Sequence, residues 1–86
     1  MIVVKELIWD EWNREHLARH EVSKEEVEEV CHGKYKAKAS YRKRIQLSGE
    51  TKNGRRLTII LSPEGRNLEK YEEGIYYPIT AFEEVE

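Results

Sequence analysis

With 86 residues, this chain is long enough for one domain in which one or two helices cover a sheet, and too short to enclose a deep substrate cavity. Hydrophobic residues make up 38% of it and fall in patterned runs, which excludes a disordered chain, and no stretch approaches the roughly 20 apolar residues of a membrane helix. A single cysteine excludes an internal disulfide, and the first residues lack the pattern of a signal peptide, so we expect a cytoplasmic protein.

The net charge of −2 conceals a strong segregation of charge along the chain. Residues 1–33 carry a net charge of −5, residues 34–66 carry +8, and residues 67–86 carry −5. A basic centre between acidic ends predicts either a surface that binds a polyanion or a basic face that an acidic partner neutralises.

The N-terminal third predicts one strand followed by two short helices. Residues 3–9 are rich in β-branched and aromatic side chains, which favours a first strand. Asp10 is suited to cap a helix over residues 11–20, because its side chain can accept a hydrogen bond from an N–H group of the first turn. Ser23 and Glu26 have the spacing of a capping box, which predicts the start of a second helix.

From residue 34 onward the sequence alternates with a period of two, with basic and polar side chains mostly at even positions and apolar ones at odd positions. This pattern predicts a half-exposed antiparallel strand, or two strands joined near Ser40. Asn53-Gly54 predicts a hairpin turn, and residues 56–62 predict the strand that follows it.

The chain ends in a further predicted strand over residues 74–82, which contains Pro78. Since proline cannot donate to a strand ladder, we expect this strand to lie at an edge or to be locally irregular. The whole order predicts an α+β fold, in which two short N-terminal helices pack on an antiparallel sheet of about four to five strands. Residues 1–86 form one domain in this interpretation.

Several short motifs resemble those of the BrnT-type toxins of bacterial toxin–antitoxin pairs. Residues 8–11, Ile-Trp-Asp-Glu, with Asn13, resemble the end of the family's first strand. Arg19 and His20 stand where the family has a basic residue and a histidine before its second helix. Residues 53–57, Asn-Gly-Arg-Arg-Leu, resemble the family's entry into the next strand. The resemblance extends over nearly the whole chain.

The resemblance implies a RelE-like fold and a metal-independent ribonuclease activity that inhibits translation, with no cofactor. It also implies a BrnA-like antitoxin as protein partner, RNA as ligand, and contact with DNA only through the antitoxin. Both a homo-oligomer and a hetero-oligomer are compatible with it, and no membrane association is expected.

The C-terminus departs from the family pattern. BrnT proteins continue through an Ile-Ser-Ala-Arg-like segment into a basic helix, whereas residues 79–82 read Ile-Thr-Ala-Phe and are followed by acidic residues. This ending is closer to short domain-of-unknown-function relatives in the same superfamily. The missing arginine favours an alternative interpretation, in which the domain has lost catalysis and docks RNA or a partner protein through its basic sheet face.

Cleavage of RNA without a metal needs a group that transfers protons and cations near the phosphate. We predict His20, Arg44 and Arg56 as catalytic residues, because imidazole exchanges protons near neutral pH and guanidinium groups hold phosphate as a fork. The alternative role for His20 is to cap the C-terminus of a helix. The alternative role for the basic strands is to form a solvated face that prevents aggregation at the sheet edge. The residues predicted to bind RNA or a partner are Lys34, Lys36, Lys38, Tyr41, Arg42 and Arg55.

The aromatic residues have two candidate roles. Tyr41, Tyr76 and Tyr77 can stack on an unpaired base, although packing within the sheet is the more usual role of such side chains. Trp9 and Trp12 lie on either side of the strand–helix junction, and we expect both to pack in the core.

A zinc site is a further alternative. His16 and His20 are four residues apart on one helix, and Cys31 and His32 end the next. However, Cys31 shares the apolar stripe of the second helix, and the spacing matches no standard zinc motif. We therefore expect no metal ligand in this chain.

Overall fold

The strands of this protein form one five-stranded sheet in the order β1-β5-β4-β3-β2, in a computed structural model that describes residues 2–84. Helix α1 lies against β5, and α2 lies against β3 and β4, which confirms the predicted α+β class with two helices on a sheet. Neither helix within the described range is long and apolar enough to cross a bilayer. In chain order the elements are β1 (Glu6–Leu7), α1 (Glu11–Arg19), α2 (Lys24–Cys31), β2 (Tyr35–Ala39), β3 (Ile45–Glu50), β4 (Arg56–Ser62) and β5 (Ile75–Glu83).

Both helices begin where the sequence predicts, because capping boxes satisfy their first N–H groups. Asp10 accepts a hydrogen bond of 2.8 Å from the N–H of Asn13, and its own N–H donates to Asn13 Oδ1 at 3.0 Å. Ser23 and Glu26 form the same reciprocal pair at the start of α2. Helix α1 ends one residue earlier than predicted, at Arg19, with His20 as its C-cap.

The predicted alternation is confirmed in β3, whose odd-numbered residues are buried and whose even-numbered residues are half-buried or exposed. In β4 the odd-numbered residues are buried as predicted, but Thr58 and Ser62 on the other face are buried too, and β2 is exposed on both faces beyond Tyr35. Ala37 pairs with Leu47, and Leu47 pairs with Ile59, so these residues share one face of the sheet, which is covered at Leu47 and Ile59 but exposed at Ala37. Leu47 and Ile59 are fully buried there, together with residues of both helices such as Leu17 and Val27. The opposite face carries the even-numbered residues and is exposed along β2.

Strand β1 is the main departure from the predicted topology. It covers two residues instead of seven, and it pairs with β5 in parallel, through Glu6↔Ile75 and Leu7↔Tyr76. The sheet is therefore mixed, and β5 lies inside it. The irregularity predicted at Pro78 is confirmed, because the β4–β5 register shifts there and leaves one extra residue on β5.

Candidate functional site

One end of the sheet collects a group of basic side chains around a cleft. Strands β2 and β4 end there and β3 and β5 begin there, so the short turn between β2 and β3 faces the long loop between β4 and β5. The cleft between them has a volume of about 230 Å³. We name it the arginine cleft, and it is lined by Arg42, Arg44 and Arg66 together with Trp12, Leu68 and Tyr77.

The turn that carries Arg42 has a strained backbone. Arg42 and Lys43 have φ values of 58° and 63°, as the two central residues of a type I′ turn require. Asparagine and glycine usually fill these positions, and other residues there cost about 1 kcal/mol each. Two basic residues at such positions are poorly explained by folding alone. Tyr41, at the start of this turn, is 74% exposed, and the Arg42 guanidinium lies 5.5 Å from its ring centroid.

Arg66 reaches the cleft from the loop between β4 and β5. Its guanidinium carbon lies 4.7 Å from the ring centroid of Trp12 on α1. The loop is held by backbone hydrogen bonds from Gly65 N–H to Glu69 O at 2.9 Å and from Leu68 N–H to Gly65 O at 2.9 Å. A Cβ at Gly65 would collide with the Tyr71 hydroxyl, so the loop passes close over that ring. These contacts place Arg66 above the first turn of α1.

Tyr77 lies at the base of the cleft and joins β5 to α1. Its hydroxyl lies 2.9 Å from both carboxylate oxygens of Asp10 and donates to that carboxylate. Burial raises the pKa of Tyr77, and the hydrogen bond to Asp10 raises it further. The phenol therefore stays protonated at physiological pH and positions the start of α1, including Trp12, instead of transferring protons.

A row of three rings runs from the cleft along α1. The rings of Trp12 and His16 are stacked, with centroids 5.2 Å apart and planes 5° from parallel. His16 meets His20 edge-on at 5.4 Å. Because eight residues of helix span about 12 Å, His20 lies at the far end of this row, well away from the cleft lining.

The three predicted catalytic residues do not converge. Arg44 lines the cleft, whereas Arg56 lies six residues further along the β3–β4 ladder, a distance of about 20 Å. Arg56 is paired with Glu50 at 3.7 Å. His20 is the C-cap of α1, which is its structural alternative to a catalytic role. One phosphate therefore cannot contact all three residues at these positions.

The other predicted binding residues divide into two groups. Arg42 lines the cleft and lies over the ring of Tyr41. Lys36 and Lys38 are exposed on β2 opposite Ser48 and Gln46, on the same face that leads to Arg44. Lys34 is exposed just before β2. The lysines of β2 thus extend the positive charge of the cleft along the sheet.

Arg55 has a structural role that the sequence did not indicate. Its guanidinium bonds to the Glu26 carboxylate, to Glu83 Oε1 at 3.2 Å, and to the carbonyl oxygen of Glu21 at 3.0 Å. These partners belong to the α1–α2 connection, α2 and β5. Arg55 therefore links the β3–β4 turn to three other parts of the fold. These contacts already engage the guanidinium that was predicted to bind RNA or a partner.

The ion pair between Arg55 and Glu26 is expected to make the stability of the fold depend on pH. Burial alone would raise the pKa of Glu26, but hydrogen bonds from Ser23 and from Arg55 hold it below its ordinary value of 4.5. A carboxyl whose pKa is lower in the folded state stabilises the fold above its unfolded pKa, and this stabilisation is lost as the pH falls through the folded value. Urea unfolding from neutral pH to below pH 4.5 should therefore show a steeper loss of stability for wild type than for Glu26→Gln. Parallel curves for the two proteins would contradict this expectation.

The two tryptophans and the cysteine lie in different surroundings. Trp9 packs against the core and donates to Glu28 Oε2 at 3.1 Å, but Trp12 is 42% exposed, so the expectation of core packing is wrong for Trp12.

Burial, with the nearby Glu28 charge, raises the pKa of the Cys31 thiol to about 12. Cys31 is thus a buried neutral thiol of the core, and no three candidate ligands within residues 2–84 come together around a metal position.

Two residues of the cleft were missed by sequence reasoning. Arg66 was not selected as a binding residue, although it is the last residue of the basic central block. Trp12 was assigned to the core because indoles usually bury most of their surface. The spacing of Trp12, His16 and His20 at four-residue intervals was a signal that these rings share one face of α1.

A larger groove than the arginine cleft lies elsewhere and has the opposite charge. It measures about 1000 Å³ and follows the line between α1 and α2. Its charged lining includes six acidic residues against Arg14 and Lys24. Such a surface repels a polyanion, so the smaller arginine cleft is the better candidate for binding one.

Comparisons of this chain with protein-family models, with curated proteins and with solved structures found no match.

Proposed function

We propose that this domain binds single-stranded RNA through the arginine cleft, as an RNA-binding module of toxin-like fold. The observation that carries the proposal is the convergence of Arg42, Arg44 and Arg66 on one cleft whose lining contains a single carboxylate, Glu64. Guanidinium groups hold phosphate oxygens through paired N–H donors, which lysine cannot reproduce.

The pairing of the arginines supports the same conclusion. Arg55 and Arg56 both form ion pairs with glutamates, whereas within residues 2–84 none of the three cleft arginines has a carboxylate partner at ion-pair distance. Unpaired guanidinium groups held close together repel one another, and an incoming phosphate relieves that repulsion. The strained turn at Arg42 is consistent with this function, since backbone strain is concentrated at functional sites.

The exposed lysines of β2 extend the path of the ligand. Lys36 and Lys38 share the open sheet face with Arg44, so a flexible strand leaving the cleft can follow them along the sheet edge. A single strand suits this surface better than a duplex, because the exposed rings of Tyr41 and Trp12 can stack only on unpaired bases.

Binding is better supported than cleavage. Tyr77 remains protonated in its hydrogen bond to Asp10, and His20 lies about two helical turns from the cleft. A second candidate, the metal-independent ribonuclease that the resemblance to BrnT toxins implies, is favoured by one observation: His16 stacks on Trp12 and so lies nearer the cleft than His20 does. In this form the domain would be the toxin partner of a BrnA-like antitoxin.

The test compares two arginines at opposite ends of the same ladder. Binding of a fluorescent RNA of about 12 nucleotides is measured by anisotropy for wild type, Arg44→Gln and Arg56→Gln. Each phosphate contact to a single strand contributes about 0.7 to the salt slope, so Arg44→Gln should bind roughly fivefold more weakly at about 0.1 M salt. Arg56→Gln should bind within about twofold of wild type, because it removes no such contact.

The two candidates are separated in the same experiment. Equal losses in both variants, or no RNA binding by wild type, would overturn the proposed cleft. Analysis of the RNA on a denaturing gel then distinguishes binding from cleavage. Intact RNA supports a binding module, whereas fragments that disappear with His16→Ala would establish the ribonuclease.

A further inference from the structure

The exposed Trp12 side chain is unusual for a residue so close to the core. It stands on the first turn of α1, which Tyr77 fixes through Asp10, so its position is set although 42% of it is exposed. Arg66 lies over its ring, and His16 is stacked in parallel with it. The indole is therefore held in one orientation at the wall of the cleft.

The contact between Arg66 and Trp12 is suited to exchange. A guanidinium over an exposed indole is held weakly, because water solvates the charge almost as well. A phosphate binds the same guanidinium more strongly, through two charged hydrogen bonds. A nucleobase covers an indole with a larger apolar surface than a guanidinium does. When RNA enters, both groups can gain stronger contacts than they have with each other.

We propose that Trp12 is the stacking platform for one unpaired base of the bound RNA, and that Arg66 leaves the indole to bind the adjacent phosphate. The inference depends on the proposed RNA binding by the arginine cleft and adds the part of the ligand that the cleft recognises. The ligand is then a base with its neighbouring phosphate in a single strand, not a polyanion in general.

A second exposed aromatic residue provides a matched control. Phe82 is also 42% exposed, but it lies on the open face of β5, where it pairs with Thr58 in the middle of the sheet. Within residues 2–84 no guanidinium lies over its ring, and Phe82 does not line the cleft. Phe82→Ala therefore removes an aromatic ring of equal exposure without touching the proposed platform.

The first test measures affinity for an oligoadenylate of about 12 nucleotides and for inorganic polyphosphate. Trp12→Ala should bind the oligoadenylate roughly tenfold more weakly, because base–aromatic stacking has about that effect. Its affinity for polyphosphate should stay within about twofold of wild type, since the arginines are intact. Trp12→Phe should recover most of the loss, and Phe82→Ala should show none.

The second test follows the indole directly. In a Trp9→Phe background, Trp12 is the only tryptophan, and saturating oligoadenylate should quench its fluorescence while polyphosphate should not. If the Trp9 substitution prevents folding, the difference in quenching between wild type and Trp12→Phe gives the same signal.

The results separate this inference from the proposed function. One outcome would overturn the stacking platform and leave the cleft as a phosphate site. In it, Arg44→Gln loses affinity for RNA, Trp12→Ala keeps the wild-type affinity for the oligoadenylate, and the Trp12 fluorescence is not quenched. Equal weakening of oligoadenylate and polyphosphate binding by Trp12→Ala would also overturn the stacking platform. Absence of RNA binding by wild type would overturn both proposals.

Discussion

Replacing Arg42, Arg44 and Arg66 together by glutamine is expected to weaken RNA binding about 100-fold at about 0.1 M salt. Each lost phosphate contact lowers the salt slope by about 0.7 and the affinity roughly fivefold, and three such losses multiply. The fold should survive, because these side chains have no ion-pair partner within residues 2–84. Anisotropy titrations over a range of salt concentrations measure both the affinity and the slope.

The control for this variant changes the net charge equally at other places. Lys24 lies on α2, Lys52 in the turn between β3 and β4, and Arg56 at the start of β4. Replacing these three by glutamine should change the affinity only slightly, and the salt slope should remain near that of wild type. A comparable loss in both triple variants would mean that only overall charge matters, and the cleft would have no special role.

Replacing Ile59 by alanine should lower the free energy of unfolding by about 3 kcal/mol, which is a large part of the stability of a domain of this size. Ile59 is fully buried at the centre of β4, between Leu47 of β3 and Ala81 of β5. Removing its side chain leaves a cavity that strands on both sides cannot readily fill. Urea unfolding followed by circular dichroism measures the change.

The neighbouring residue is the control for this prediction. Ile60 is the next residue on β4 and is half-buried on the opposite, open face. Ile60→Ala should lose about 1 kcal/mol or less, because its surroundings include solvent. Similar losses for the two variants would contradict the assignment of one face of β4 to the core.

The elements predicted well are those determined by neighbouring residues. The caps at Asp10 and Ser23 depend on side chains three residues away, and the buried face of β4 depends on a period of two. Such local rules apply whatever the rest of the chain does. The two helix starts and the bounds of β4 therefore follow from the sequence alone.

The features that were missed depend on distant segments. β1 adds to β5 in parallel although about 70 residues separate them, and no local pattern encodes that pairing. Arg55 appeared as one more basic residue of the central block, but its glutamate partners come from α2 and β5. The sequence shows how many charges a segment carries, whereas the fold decides which of them find a partner.

The distance between segments along the chain also explains which residues of the candidate site were predicted. Arg42 and Arg44 were selected from the basic block, and both line the cleft. Arg66 and Trp12 reach it from the β4–β5 loop and from α1, so their proximity depends on how these segments pack. The predicted set of His20, Arg44 and Arg56 was chosen by residue type, and the sheet register separates Arg44 from Arg56.

Mapping of backbone amide chemical shifts during titration with the oligoadenylate tests the central claim most directly. Binding in the arginine cleft should produce the largest changes at Arg42, Arg44 and Arg66 and little change at Arg56 and Gly54, at the opposite end of the sheet. The proposal that this domain binds single-stranded RNA through the cleft would be contradicted if the largest changes appeared around Gly54 or in the groove between α1 and α2. It would also be contradicted if no residue changed.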